Sequence, residues 1–371
     1  MQDQLIISGT ELYKLRIPLK EPFIISLGAI HQAENLLVVI HTKEGLTGYG
    51  ECSPFMTING ESMETCFVVG QYFGRLMKEK NALDMEQRVA EMDQLIYGNQ
   101  SIKSAFDMAL HDLAAQFAGL PLYRFLGGKN DKEIFTDYTV SIGEPSRMAA
   151  DALAIKEQGF PAIKIKLGKN GEMDILRIRA IREAVGMDIP LRIDANQGWS
   201  VDEAISTLKG LAPYEIQHCE EPIPRWAFLD LPGVRKESPI PIMCDECCGD
   251  DRDAERLIRL GACDYLNIKL GKSGGILKAL RMFRLAEQNK IPLQVGAFME
   301  SRLAMTAFAH LALCSDQVIH FDFDTALMFS EDPVSGGIEY EKNGKIKIPE
   351  TPGLGAYVEK DWLKRLEMIS I

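Results

Sequence analysis

The sequence has no apolar run long enough to span a bilayer. Its start, MQDQLIISGTELYKL, lacks the basic n-region and long apolar h-region of a secretory leader. Both absences leave a membrane without a role and point to the cytoplasm. A basic excess is lacking too. The chain carries 41 Lys and Arg against 53 Asp and Glu, a formal net charge of −12, which argues against nucleic acid as a partner. A second zinc-spaced cysteine pair is missing. Cys244, Cys247 and Cys248 cluster in MCDECC, but nothing accompanies them, so the eight cysteines read as thiols of a reducing compartment. A P-loop is missing as well: LGKSGG holds its GKS tail, but position 266 is leucine where the motif needs glycine, which excludes ATP there. GKSGG reads instead as a loop entering a helix.

What is present is the composition of an ordinary folded enzyme. The 371 residues, 46% hydrophobic and 25% charged, fit one large α/β domain and a smaller one. Residues 1–130 read as an α+β domain, with strands at 10–19, 35–42 and 46–51 and helices at 62–78, 84–97 and 101–118. From 131 to 325, short β-rich runs alternate with helical patterns. The strands are FTDYTVSI, AIKIKLG, LRIDANQ, IQHCEEP, PIMCDEC, YLNIKLG, LQVGAF and IHFDFD. The helices fall near 145–158, 172–186, 201–211, 226–237, 251–260, 275–289 and 301–313. Such alternation predicts a parallel sheet closed as a (β/α)7β TIM-like barrel, with the first domain as a cap. Residues 326–371, rich in Gly and Pro, are expected to pack back toward that cap.

Barrels of this kind carry function at the C-terminal ends of their strands. There the sequence delivers Lys164 and Lys166, Asp194, Glu220, Asp245, Lys269, and Asp322 with Asp324. Parity agrees. In AIKIKLG the isoleucines share one side and the lysines the other, and in FDFD the phenylalanines and aspartates divide likewise. Charges therefore face the barrel interior.

Asp194, Glu220 and Asp245 come from three successive strands and repel one another unless a cation intervenes. Oxygen ligands with no histidine at the strand ends select Mg²⁺ over zinc or iron. Lys166 and Lys269 flank the acids from strands two and six, on opposite sides of the mouth. A lysine near a divalent cation and another ammonium group has a lowered pKa and can act as a base. Two such bases on opposite faces of one carbon suit racemisation or epimerisation. Lys164, one step deeper, would support Lys166 and a substrate carboxylate.

These residues resemble the enolase superfamily, in its muconate-lactonising-enzyme subgroup. Lys164-x-Lys166, DANQGW at 194–199, CEEP at 219–222, DE at 245–246 and NIKLGKSGG at 267–275 match in order and span most of the chain. The resemblance implies Mg²⁺ on Asp194, Glu220 and Asp245, with Lys166 and Lys269 exchanging a proton through an enediolate. The Asp322-x-Asp324 pair is similar to that of the dipeptide epimerases, where it binds the substrate's α-ammonium group. An anion pair suits a free amino terminus. The implied activity is inversion of the α-carbon of the C-terminal residue of a dipeptide.

Two departures bear on specificity. Cys247 stands where many relatives have serine. Gly28, in PFIISLG, stands where Ala-Glu epimerases have arginine for the substrate glutamate. A neutral or hydrophobic second residue is therefore expected. Ile25 and Gly28 in loop 24–30, and Phe55 and Ile58 in loop 53–60, would close over the substrate, with Gly296 and Glu300 near it. An N-acylamino acid racemase, an o-succinylbenzoate synthase, an L-Ala-D/L-Glu epimerase, a Schiff-base lysine aldolase and a non-catalytic binding protein are the alternatives. A homo-oligomer is expected.

Overall fold

The computed structural model describes residues 4–371, so Met1–Asp3, within the start read above as no secretory leader, lie outside the described residues. The first domain opens with an antiparallel sheet. β1 (Ile7–Ile25) turns back at once into β2 (Gly28–Thr42), and β3 (Thr47–Cys52) follows. The first hairpin is far longer than the sequence patterns at 10–19 and 35–42. Its tip, residues 19–34, mixes apolar residues with Lys20, Glu21 and Glu34 and is broken by Pro22, so alternation fades where the arm leaves the domain core. A register irregularity between Pro18 and Phe23 re-aims that tip.

Helices α1 (Met63–Met77), α2 (Met85–Leu95) and α3 (Gln100–Phe117) cover one face of this sheet. Ser62 caps α1 by accepting from the Thr65 backbone, while the Thr65 side chain returns the bond, as the sequence SMET permits. Helix α3 is buried on almost every side because it lies between the cap and the barrel.

A short helix α4 (Leu122–Phe125) and strand β4 (Ile134–Phe135) lead into the barrel. There β5 (Tyr138–Val140), α5 (Pro145–Glu157), β6 (Ile163–Lys166), α6 (Gly171–Val185), β7 (Leu191–Asp194), α7 (Val201–Leu211) and β8 (Ile216–Glu220) alternate. They continue as α8 (Leu231–Glu237), β9 (Ile242–Cys244), α9 (Asp251–Leu260), β10 (Tyr265–Ile268), α10 (Leu270–Ser273), α11 (Ile276–Asn289), β11 (Leu293–Val295), α12 (Arg302–Ala312) and β12 (Val318–Phe321). Strands β5 to β12 form one parallel sheet in sequence order. Its two edges meet: the Asp137 N–H donates to the Phe321 carbonyl at 3.2 Å.

The tail adds α13 (Thr325–Met328), β13 (Val334–Gly336), β14 (Glu339–Tyr340), β15 (Lys345–Lys347), β16 (Ala356–Val358), α14 (Lys360–Leu363) and β17 (Met368–Ser370). β17 returns to pair with β1 in the first domain. Two buried carboxylates also fasten the cap to barrel helices. Glu51 accepts from the Ser301 N–H at 2.9 Å and the Ala304 N–H at 3.2 Å, at the start of α12. Asp107 accepts from the Ile276 and Leu277 N–H groups at the start of α11. Negative charge at a helix N-terminus is favourable, and these bonds fix the cap over the barrel mouth.

Candidate active site

The in-register pairing of β6, β7 and β8 sets Lys166, Asp194 and Glu220 side by side. Asp245 follows β9 and Lys269 follows β10, on the same rim. The backbone just beyond these ends is constrained. Asn196 and Glu221 hold φ of 40° and 36°, which few non-glycine residues adopt, and such strain concentrates at functional sites. Glycines allow the rim loops to touch. A Cβ on Gly198 would stand 1.9 Å from the Gly168 carbonyl oxygen, and one on Gly168 would stand 2.0 Å from that of Ala195.

Asp194, Glu220 and Asp245 are completely buried. Lys166 Nζ lies 2.6 Å from Asp194 Oδ2, and Lys269 Nζ lies 2.7 Å from Asp245 Oδ2. Between them Lys164 Nζ reaches Glu220 at 2.9 Å, Asp322 at 2.8 Å and Asp194 at 3.4 Å. Burial alone would raise Asp194, but Lys166, Lys164 and Lys269 hold it below the usual carboxylate range. Burial would likewise lower Lys269, yet Asp245 and Glu220 outweigh it and hold the ammonium group above its ordinary value. Lys164 is pushed up in the same way, by Asp322, Glu220 and Asp194 against its own burial. This is opposite to the lowering expected from the sequence, which requires a divalent cation to take up the charge of these carboxylates.

The three acids fit such a cation. Each is buried, anionic oxygen is the whole donor set, and ammonium groups now supply the positive charge they demand. Neutral amides orient the central ligand. Asn267 Nδ2 donates to Glu220 Oε1 at 2.9 Å and Gln294 Nε2 to Glu220 Oε2 at 3.2 Å. Glu221 faces away from the row and accepts from the Asp245 N–H at 2.7 Å, the Cys247 N–H at 3.0 Å and the Cys247 thiol at 3.2 Å. The thiol thus serves where a serine hydroxyl would. Every cysteine is free.

Above the acids lies a cavity of about 40 Å³. Lys166, Lys269, Asp322 and Asp324 all line it, together with Ile25, Phe55 and Ile58. Phe23, Phe298 and Met299 complete an apolar wall. Lys269 Nζ lies 4.9 Å from the centre of the Phe298 ring, and Lys166 Nζ 5.8 Å from that of Phe23. The hairpin tip is pinned over the mouth, where the Ser26 hydroxyl donates to the Asn196 carbonyl at 2.7 Å.

The other expected residues stand elsewhere. Lys164 lies beneath the cavity, among the acids, rather than in its lining. Gly28 sits in the hairpin tip, exposed, with open space around it. Gly296 packs on Asn267, where a Cβ would meet Oδ1 at 2.7 Å. Glu300 turns back on its own loop and accepts from the Phe298 N–H at 2.6 Å; burial first, and Glu51 next, push it up to about 8.

The sequence reading missed Lys272. GKSGG is not only a loop: α10 places the Lys272 ammonium on Asp245 and 3.1 Å from the Asn267 carbonyl. It missed Asn267 and Gln294, although parity puts Asn267 on the same side as Lys269. It also missed Asp137. Among the described residues, Asp137, Asp322 and Asp324 form a group of three acids with oxygens within 4.8 Å of one another. Lysines interleave the Asp194, Glu220 and Asp245 row instead. In the trio Asp322 holds Lys164 and Asp137 holds Arg192, just as Asp194, Glu220 and Asp245 hold Lys166, Lys164 and Lys269 in the row.

Two family models match the chain. The mandelate racemase / muconate lactonizing enzyme N-terminal domain covers residues 8–127, and the enolase C-terminal domain-like model covers residues 147–362. A D-Ala-D/L-Ala epimerase from Cytophaga hutchinsonii is 59% identical, across 99% of this chain and 100% of that protein. A hydrophobic dipeptide epimerase from Enterococcus faecalis is 39% identical, across 92% and 96%. The crystal structure of the dipeptide epimerase from C. hutchinsonii complexed with Mg and D-Ala-L-Val matches with a TM-score of 0.98 over 99% of this chain and 100% of that one.

Proposed function

The chain belongs to the mandelate racemase / muconate lactonizing enzyme family of the enolase superfamily, and from this we infer that it is an Mg²⁺-dependent dipeptide epimerase, an isomerase. One observation of its own site carries the reading: Lys166, Lys269, Asp322 and Asp324 converge on a single cavity. Lys166 and Lys269 reach it from opposite ends of the carboxylate row. One Nζ takes the α-proton of the C-terminal residue; the C–H bond breaks and an N–H bond forms. The other Nζ gives a proton to the opposite face, so the carbon inverts. Asp322 and Asp324 bind the substrate's ammonium group. Asp194, Glu220 and Asp245 would hold Mg²⁺, which would supply Lewis-acid stabilisation of the negative charge that develops on the substrate carboxylate. Asn267 and Gln294 keep Glu220 aimed, and Lys272 does the same for Asp245.

The apolar wall of Phe23, Ile25, Phe55, Ile58 and Phe298 favours a neutral or hydrophobic second residue, and the cations in the lining, Lys166 and Lys269, are held by Asp194 and Asp245. A cavity of about 40 Å³ is far below the roughly 300 Å³ at which ordinary ligand pockets begin. A dipeptide therefore enters only when the hairpin tip and loop 53–60 open, and the site closes dry around it. An N-acylamino acid would leave Asp324, which touches no cation among the described residues, buried without one. No helix among the described residues is long and apolar enough to cross a membrane, and free thiols support a cytoplasmic location.

The test is exchange in D₂O with Mg²⁺ and pooled dipeptides, D-Ala-L-Ala among them. A gain of one deuterium at the α-carbon of the C-terminal residue, abolished by EDTA, is expected. Exchange of N-succinylamino acids without exchange of any dipeptide would overturn the reading.

A further inference from the structure

Behind the rim acids lies a third carboxylate that the proton transfer does not use. Asp137, just before β5, is buried, and one of its oxygens lies within 4.8 Å of oxygens of Asp322 and Asp324. Two cations touch this trio. Lys164 Nζ lies 2.8 Å from Asp322 Oδ2, and Arg192 Nη1 lies 2.8 Å from Asp137 Oδ2. Arg192 is itself held by Gln217 Oε1 at 2.8 Å and His320 Nδ1 at 2.9 Å. Asp324 touches no cation among the described residues; its Oδ2 accepts the Thr139 N–H at 2.7 Å. The Oδ1 atoms of Asp324 and Asp137 have no partner at all, although both residues are 99% buried.

Lys164 is shared with Glu220 at 2.9 Å and Asp194 at 3.4 Å, so the three carboxylates face less than two full positive charges, and buried negative charge is left over beside the cavity that Asp322 and Asp324 line. Such a charge is relieved by a proton or by an incoming cation. Burial first, and Asp322 next, push Asp137 up to about 7, the direction of a group short of positive charge. An organic ammonium group supplies the missing unit. A neutral amide of the same shape does not.

We propose that Asp137 is a positioning residue for the substrate's ammonium group: held from below by Arg192, it completes the charge of the Asp322–Asp324 pair and so sets the preference for a free amino terminus over a neutral one. This rests on the dipeptide reading above. The Mg²⁺-loaded Asp137→Asn variant is compared with the unaltered protein by deuterium exchange. The readouts are KM and kcat for D-Ala-L-Ala and the inhibition constant of N-propionyl-L-alanine, which has the same shape without the amino group. The expected result is a KM for D-Ala-L-Ala raised about tenfold. The kcat and the inhibition constant should stay within about twofold, since neither depends on the amino-terminal charge. An unchanged KM, or a KM and inhibition constant that move together, would overturn the proposal. Asp137→Ser, which leaves room for a water on Arg192, is read the same way. Failure of both variants to fold would assign Asp137 to stability alone and also overturn it. If the unaltered protein exchanges no proton of any dipeptide, the dipeptide reading itself has failed, a result distinct from an unresponsive Asp137→Asn.

Discussion

Lys166 and Lys269 stand at the two ends of one row of buried acids, the first on Asp194 at 2.6 Å and the second on Asp245 at 2.7 Å, with Glu220 between them. In the proposed mechanism these two lysines are the bases that address opposite faces of the substrate's α-carbon. Losing one should abolish inversion while leaving the other able to exchange a proton. Lys166→Met and Lys269→Met are each expected to lower epimerisation by 10²–10⁴-fold, the range of a lost general base. Each variant should still incorporate deuterium into one epimer of the substrate, and the two variants should differ in which one. Loss of all exchange in both variants, measured on the separate epimers, would exclude the two-sided arrangement.

Asp324 Oδ1 is buried with no partner, and the proposed function gives it the substrate's ammonium group. Replacing it with asparagine keeps its shape and the bond from the Thr139 N–H but removes the charge. The expected loss in kcat/KM on dipeptides is roughly a hundredfold, the scale for deleting one member of a buried charge pair. Asp324 makes no contact with Lys164, so the row of acids should be undisturbed. Steady-state kinetics on D-Ala-L-Ala checks this, and an unchanged kcat/KM would remove Asp324 from the ammonium site.

The site residues that parity exposes were legible in the sequence. In AIKIKLG, LRID and FDFD, a charge alternates with residues that need burial, and only a barrel interior reconciles them. The apolar lid residues Ile25, Phe55 and Ile58 came from resemblance, since nothing local distinguishes them from core. Lys272 was hidden because its contact depends on a single turn of helix, α10, that GKSGG does not announce. Asn267 and Gln294 were hidden for another reason: neutral amides carry no charge pattern, and their role appears only when Glu220 is seen between them. The hairpin tip was lost because a two-stranded arm packed largely on loops has no need of strict alternation. Asp137 lay inside a strand pattern, but its meaning required the closure of the barrel, which brings the first strand beside the last.

Phe55 packs at a tilt against Phe298 with ring centres 5.8 Å apart and closes the apolar wall. Phe55→Ala opens space beside the second residue of the substrate. Its expected effect is a shift of preference: kcat/KM for D-Ala-L-Leu relative to D-Ala-L-Ala should rise about tenfold, the scale of one to two methylenes in a pocket. Competition between the two dipeptides in one exchange reaction reads the ratio directly. No change in the ratio would place the second side chain elsewhere.

Binding of Mg²⁺ to the folded chain alone must raise its stability. At a hundred times the dissociation constant the gain is about 2.7 kcal/mol. Thermal unfolding should therefore shift upward with Mg²⁺ and return with EDTA. In Asp245→Asn the shift should largely vanish, because one of three anionic ligands is gone. An equal shift in the variant would place the ion away from Asp245, for instance among Asp137, Asp322 and Asp324. Unlike an assay, this measurement reports binding without chemistry.

His310 ties the seventh barrel helix to the tail, and its bonds fix its protonation. Nδ1 accepts the Tyr123 N–H at 3.2 Å, so the proton sits on Nε2, which donates to the Leu354 carbonyl at 3.2 Å. A second proton would have to displace the Tyr123 bond, and burial opposes the charge; His310 is accordingly pushed down to about 4 from its ordinary 6.5. Between those values the unfolded chain takes up a proton that the folded chain refuses. The stability is fully present above pH 6.5 and is lost as the pH falls toward 4. The full loss approaches about 3 kcal/mol, the 2.5-unit difference at 1.36 kcal/mol per unit. Asp112 nearby, which burial pushes up to about 6, works in the opposite sense but is common to wild type and variant. In His310→Gln this portion of the pH dependence should disappear. Urea midpoints of the two proteins at pH 7, 5.5 and 4.5 measure it, and parallel curves would show that the imidazole is protonated in the fold.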